Sequence, residues 1–300
     1  MRLVTFNQNG ENRIGAIRDE QIVDLNATDA SLPTDMLALI QGGDEMLQRA
    51  NSAAKSGSDA FELASATLRS PLLLPPRILA IGMNYMDHFY EIPEAVRTRM
   101  GMTGPSPTPI MFNKQNTSIT GPYDPVYLPP ESPELDYEAE LALIIGKACR
   151  RVPAADAFSV IMGYSVLNDV SVRDWQRAAP TMTMGKSWDS HCPLGPAIVT
   201  ADEVAEPENL AVRTLVDGEE RQSFNTGEMI HKIATQIEYL STAFTLLPGD
   251  VIATGTSAGV ALFREGQPWL REGQSVRVEI EGLGFLENKV IADPNTPFTI

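Results

Sequence analysis

Leu135-Asp136-Tyr137-Glu138-Ala139-Glu140-Leu141 leads without a break into Ala142-Leu143-Ile144-Ile145. An apolar run of this length reads as a buried strand, here over residues 137–145. Side chains on a strand alternate between faces, so Glu138 and Glu140 project the same way. Carboxylates held that close repel unless a cation lies between them, and a hard divalent ion is such a cation. Alternating acids also describe a solvated strand face, so the pair acquires meaning only with further groups.

Outward from this strand the pattern repeats. Residues 78–81, 109–112 and 160–167, then 212–216, 251–253, 275–281 and 284–291, are apolar or alternating runs broken by Pro and Gly, and Gly282-Leu283-Gly284 suits a hairpin connection. Helical intervals near 85–100, 170–178 and 228–243 interrupt them without the regular alternation of a doubly wound sheet. The class expected is α+β and β-rich. At the N-terminus, runs at 3–6, 13–17 and 21–25 suggest a small antiparallel meander, followed by helical pieces after Pro33 and around 46–54. The proline-punctuated segment from Pro71 to Pro76 reads as a linker, dividing a small α/β domain (1–70) from a catalytic domain (71–300).

A third carboxylate follows at Asn168-Asp169-Val170-Ser171-Val172-Arg173-Asp174-Trp175-Gln176, where a strand gives way to a helix and Asn or Asp is a suitable cap. Asp169 then lies at a strand end, with Arg173 and Gln176 able to face the same cleft. Helix capping and an i,i+4 ion pair is the plainer account of these residues. Three carboxylates completed by water and substrate oxygens suit Mg²⁺ or Mn²⁺, whereas zinc prefers nitrogen and sulfur ligands. Such an ion is a Lewis acid toward adjacent carbonyl or enolate oxygens. Upstream, Asn84-Tyr85-Met86-Asp87-His88-Phe89-Tyr90-Glu91 sets His88 and Glu91 three apart on a helix, where the glutamate orients the imidazole as a base for water. The segment onward to Pro109, rich in Pro and Gly, reads as a lid around residues 85–110.

The 300 residues carry a net charge of −16 and are 43% hydrophobic, a globular composition that opposes binding a polyanion through Lys and Arg. Nucleic acid is not an expected partner. No apolar run approaches the ~18 residues of a membrane span, and Met1 to Asn7 lacks the layout of a secretory signal, so no membrane partner and a cytoplasmic location are expected. Cys149 and Cys192 match no metal or redox spacing and read as reduced thiols.

These motifs together resemble, in order over about residues 77–292, the metal-dependent fumarylacetoacetate hydrolase family, and within it the acylpyruvases and fumarylpyruvate hydrolases. Ile81-Gly82-Met83-Asn84-Tyr85-Met86-Asp87-His88 resembles the family's strand-to-lid motif, Glu138-x-Glu140 its metal pair, and Asn168-Asp169 through Gln176 its third ligand and substrate helix. Gly185-Lys186-Ser187-Trp188-Asp189 resembles its lysine segment, and Thr254-Gly255-Thr256 its late substrate loop. The resemblance implies a mixed β-roll with a small N-terminal domain in a homodimer, and a place in aromatic-compound catabolism. It implies that Glu138, Glu140 and Asp169 bind Mg²⁺ or Mn²⁺, that His88 and Glu91 activate water, and that Lys186 stabilises an enolate. Arg173, Gln176 and Thr256 are implied to hold the oxygens of a small anionic oxo acid. Met83 stands where leucine or arginine is common, and the segment from Glu91 to Met111 is long, so the substrate stays open.

The reaction expected first is hydrolysis of a C–C bond in a 2,4-dioxo acid. The same machinery serves oxaloacetate decarboxylation or tautomerisation and the hydration or isomerisation of a 2-oxo-alkenoate. Gly255-Thr256-Ser257-Ala258-Gly259 matches a nucleophile elbow, but all histidines precede Ser257, against the order that motif requires. Cys192 beside His191 is weak as a nucleophile pair, because adjacent side chains diverge. A catalytically silent β-roll that binds a metabolite or protein is the non-enzymatic alternative.

Overall fold

The structure, a computed structural model, describes residues 1–57 and 60–294. At its centre the strand Ala139–Ile145 is buried at every position. It pairs antiparallel with Ile161–Asn168 on one side and Val251–Ala253 on the other. A strand covered on both faces reads as a continuous apolar run, as Leu141 to Ile145 does. Leu141, Leu143 and Ile145 pack into one apolar cluster with Val212, Val278 and Leu286. Ala142 and Ile144 turn the other way, toward Leu3, Leu39 and Ile40. Each such leucine or isoleucine contributes about 1.5–3 kcal/mol on burial, so this strand anchors both layers.

The main sheet continues through Cys192–Thr200, Arg2–Gln8, Glu11–Arg18, Gln21–Asp24 and Ala60–Glu62, and in the other direction through Ile78–Gly82 and Ile110–Lys114. It is mixed, since Val251–Ala253 and Ile78–Gly82 run parallel. A second sheet is ordered Glu219–Asn225, Ala211–Val216, Ser275–Ile280, Gly284–Ala292 and Val126–Leu128. The β-rich mixed architecture expected from the sequence is the one found. The N-terminal meander and the helices Met36–Gln41 and Gly43–Ser56 do not stand apart from it: Arg2 and Leu3 pair with Val199 and Ile198.

Three helical intervals differ from expectation. Residues 85–100 form two helices, Met86–Glu91 and Glu94–Arg99, because Pro93 bars the helical conformation at Ile92 (ψ 122°). The helix expected from 170 starts at Arg173, since Ser171–Val172 is held in a ladder with Leu135–Asp136. The one expected from 228 is Ile233–Ala243.

Candidate active site

Chain geometry at the start of the central strand builds the site. Asn168 Oδ1 accepts from the Glu138 amide (3.0 Å) and the Asp169 amide donates to the Glu138 carbonyl (2.8 Å), which locks the two segments together. Glu138, Glu140 and Asp169 thereby each bring a carboxylate oxygen within 4.8 Å of the others, all buried. The capping account of this segment fails, because the helix at Arg173 begins after Val172 with no side-chain cap. Nor does Arg173 pair with Asp169. Its guanidinium spans Asp136 Oδ2 (2.8 Å) and Glu138 Oε1 (2.6 Å) instead.

Cations surround the carboxylates. Lys186 Nζ is 2.7 Å from both Glu138 Oε2 and Asp169 Oδ2, and Lys114 Nζ is 2.6 Å from Asp169 Oδ1. Burial alone would raise the Glu138 carboxyl, but Lys186 and Arg173 outweigh it and hold the group well below the usual carboxylate range. Glu140 goes the other way: burial, then the charges of Asp169 and Glu138, push it well above that range. Glu140 Oε2 accepts from the Gly255 amide (2.7 Å). A carboxylate left short of positive charge beside two others is what a divalent ion corrects, and an all-oxygen donor set fits Mg²⁺ or Mn²⁺. These three residues can hold such an ion.

The helix Met86–Glu91 brings His88 near enough to the cluster for its charge to act on Glu138. His88 is buried, with Nδ1 2.9 Å from Glu91 Oε2, while Glu91 Oε1 accepts from the Gly259 amide (2.6 Å). Glu91 therefore fixes the imidazole and tethers its helix to the loop after Val251–Ala253. Asn84 secures the same loop by donating to the Thr254 carbonyl (2.7 Å). Gly255 lies in the left-handed region (φ +99°), and a Cβ there would come within 2.7 Å of Asn84 Cβ, so the loop requires glycine. Gly185 is required for close approach: its Cβ would meet the Gln176 backbone at 2.3 Å, and its absence lets the Lys186 segment reach the carboxylates.

The residues expected to hold substrate lie around the cluster. Gln176 Oε1 accepts from Arg173 Nη1 (2.9 Å), and the buried Thr256 hydroxyl accepts from Gln222 Nε2 (2.9 Å). Sequence reasoning missed Lys114, Asp136 and Gln222. Asp136 continues the period-two acids of Glu138 and Glu140, a legible signal. Lys114 and Gln222 sit on strands distant in sequence, and only their pairing in the sheets brings them here. The rival nucleophiles lose support: among the described residues no helix follows Ser257 beyond the single turn Ala261–Phe263, and burial pushes the Cys192 thiol up to about 12.

A buried carboxylate triad ringed by Lys and Arg, with an imidazole held by Glu91 nearby, is a site that can hold a divalent ion for Lewis-acid chemistry. Residues 77–291 match the family described as fumarylacetoacetate (FAA) hydrolase C-terminal, and the chain belongs to that family. It is similar to a mitochondrial oxaloacetate tautomerase of Xenopus laevis, 41% identical over 97% of this chain and 90% of that one. A fumarylacetoacetate hydrolase from Exiguobacterium antarcticum shares the fold, with TM-score 0.83, 36% identity and coverage of 98% of this chain and 100% of that one. So does maleylpyruvate hydrolase from Sphingobium sp. SYK-6 in complex with manganese and pyruvate, with TM-score 0.79, 31% identity and coverage of 97% and 99%. The relatives are hydrolases and isomerases, and the chain is an enzyme of this group. The expected cytoplasmic location is overturned, since the Xenopus relative is a mitochondrial protein.

Proposed function

We propose that this enzyme interconverts the keto and enol forms of oxaloacetate. The observation that carries the reading is likeness to an oxaloacetate tautomerase along 97% of the chain, over a site whose acids and bases are all in place. Charge supports it. Lys114, Lys186 and Arg173 nearly balance Asp136, Glu138, Glu140 and Asp169, so a bound divalent ion leaves the site positive toward a small dianion.

When held by Glu138, Glu140 and Asp169, Mg²⁺ or Mn²⁺ supplies Lewis-acid polarisation of the 2-oxo group. His88, held at Nδ1 by Glu91 and with Nε2 unpaired among the described residues, takes a proton from C3. The C3–H electron pair becomes the C2–C3 double bond and charge moves to the C2 oxygen. Lys186 stabilises that charge, and a proton returned to this oxygen completes the enol. Arg173, Gln176 and Thr256 hold the carboxylates. The reverse sequence yields the ketone.

Hydrolysis of an acylpyruvate-type C–C bond is the second reading, favoured by the His88–Glu91 pair and by likeness to maleylpyruvate hydrolase. Ultraviolet decay of enol-oxaloacetate, run beside assays for pyruvate release from oxaloacetate and from acylpyruvates, separates the two. Accelerated enol decay without pyruvate release supports tautomerisation. Pyruvate release from an acylpyruvate, abolished by His88→Ala, would replace it with hydrolysis.

A further inference from the structure

We infer that Gln222, on the strand Glu219–Asn225, sets the Thr256 hydroxyl as a donor toward substrate and so makes the site select an anionic oxygen there. The inference rests on the oxo-acid reading above. Gln222 is 1% exposed and its amide spans the two halves of the site. Its Oε1 accepts from the Ala139 amide (3.0 Å), which lies between the metal-binding glutamates, and from the Thr214 hydroxyl (2.8 Å). Its Nε2 donates to the Ser257 carbonyl (3.1 Å) and to Thr256 Oγ1 (2.9 Å).

Two backbone partners remove any ambiguity about which end is which. An amide N–H can meet only the oxygen end, and a carbonyl only the nitrogen end. The side chain is thus held in one orientation, and Thr256 must accept from it. A hydroxyl that accepts from Nε2 keeps its own proton for another partner, and among the described residues Thr256 donates to none. The neighbouring Gly255 amide is already committed to Glu140, which places this loop against the metal cluster. Gln222 is therefore a positioning residue, acting on substrate through Thr256.

The test is a double-mutant cycle on the Mn²⁺-loaded enzyme, using Gln222→Glu and Thr256→Val. Glutamate keeps the acceptor facing Ala139 and Thr214 but presents a second acceptor to Thr256, turning its hydroxyl proton inward. Loss of a hydrogen bond to a charged oxygen predicts a KM for oxaloacetate raised roughly tenfold in either single variant. The double variant should be no worse than either, kcat and Mn²⁺ affinity should hold within about threefold, and Thr256→Ser should restore the wild-type KM. Additive losses, an unchanged KM in Gln222→Glu, or loss of Mn²⁺ affinity in step with KM would overturn the inference. Should Gln222→Glu fail to fold, Gln222→Met carries the cycle, with the same non-additivity expected. A wild-type protein that does not turn over oxaloacetate defeats the tautomerase reading alone. The same cycle read as the Kd for oxaloacetate and for an acylpyruvate, by calorimetry, still decides the role of Gln222.

Discussion

Lys186 Nζ lies 2.7 Å from both Glu138 Oε2 and Asp169 Oδ2, so one ammonium bridges two of the three carboxylates that can hold a divalent ion. All three groups are buried, and removing a buried partner typically costs about 3–5 kcal/mol because the opposite charge is stranded. A divalent ion can compensate those stranded charges. Lys186→Met should therefore melt well below wild type without metal and regain more stability than wild type on adding Mg²⁺. Its turnover should still fall roughly 10²-fold or more, since the cation beside the developing oxyanion is gone. Thermal unfolding with and without Mg²⁺ checks the first expectation; an equal metal-induced shift in both proteins would contradict it.

Glu140 provides the pH dependence. Burial and the charges of Asp169 and Glu138 hold it protonated above the usual carboxylate range, so the folded chain binds a proton there that the unfolded chain has released. In the metal-free protein this contribution to stability is present at low pH and lost as pH rises through the raised value. A divalent ion displaces the proton. The increase in Tm on adding Mg²⁺ should grow with pH above the ordinary carboxylate range, and metal binding should release a proton, measurable by calorimetry in buffers of different ionisation enthalpy. Glu140→Gln should abolish both effects.

Lys114 holds the far oxygen of Asp169 at 2.6 Å from a fully buried position and also donates to the backbone carbonyls of Val170 and Lys186. Groups that orient a metal ligand commonly contribute 10- to 100-fold in metal affinity or activity, so Lys114→Met should weaken Mn²⁺ binding by roughly that factor. Calorimetric titration with Mn²⁺ measures this, and unchanged affinity would show that Asp169 needs no such support.

Glu91 does two separable jobs. Glu91→Gln keeps an acceptor for the Gly259 amide but removes the charge beside His88, whereas Glu91→Ala removes both. Turnover should fall roughly 10²-fold in each, in line with general-base contributions. Resistance to proteolysis of the segment between residues 92 and 109 should be lost in the alanine variant alone.

The sequence made the core of this site legible because its chemistry lies on short-range patterns. Glu138 and Glu140 are two apart on a strand, His88 and Glu91 three apart on a helix, and Asp169 ends a strand, so local periodicity alone suggests which side chains can meet. Lys114, from 24 residues upstream of Glu138, and Gln222, from 84 downstream, are contributed by strands whose neighbours are set by sheet topology, which periodicity does not encode. The strand Cys192–Thr200 was likewise hidden, since its two prolines disguise a central strand. At Ile92 the signal was present in Pro93 and outweighed by the apolar pattern around it. The choice of reaction was not legible in the sequence, because a His–Glu pair serves to activate water or to move a carbon-bound proton alike.

Glu138, Glu140 and Asp169 are proposed to hold the ion on which oxaloacetate tautomerisation depends. The most direct measurement is the rate of enol-oxaloacetate decay with metal-stripped enzyme, before and after adding back Mg²⁺ or Mn²⁺, for wild type and Glu138→Gln. Acceleration is expected only in reconstituted wild type, with both metal binding and turnover lost in the variant. Equal rates with and without metal, or a Glu138→Gln enzyme that binds metal and turns over normally, would contradict it.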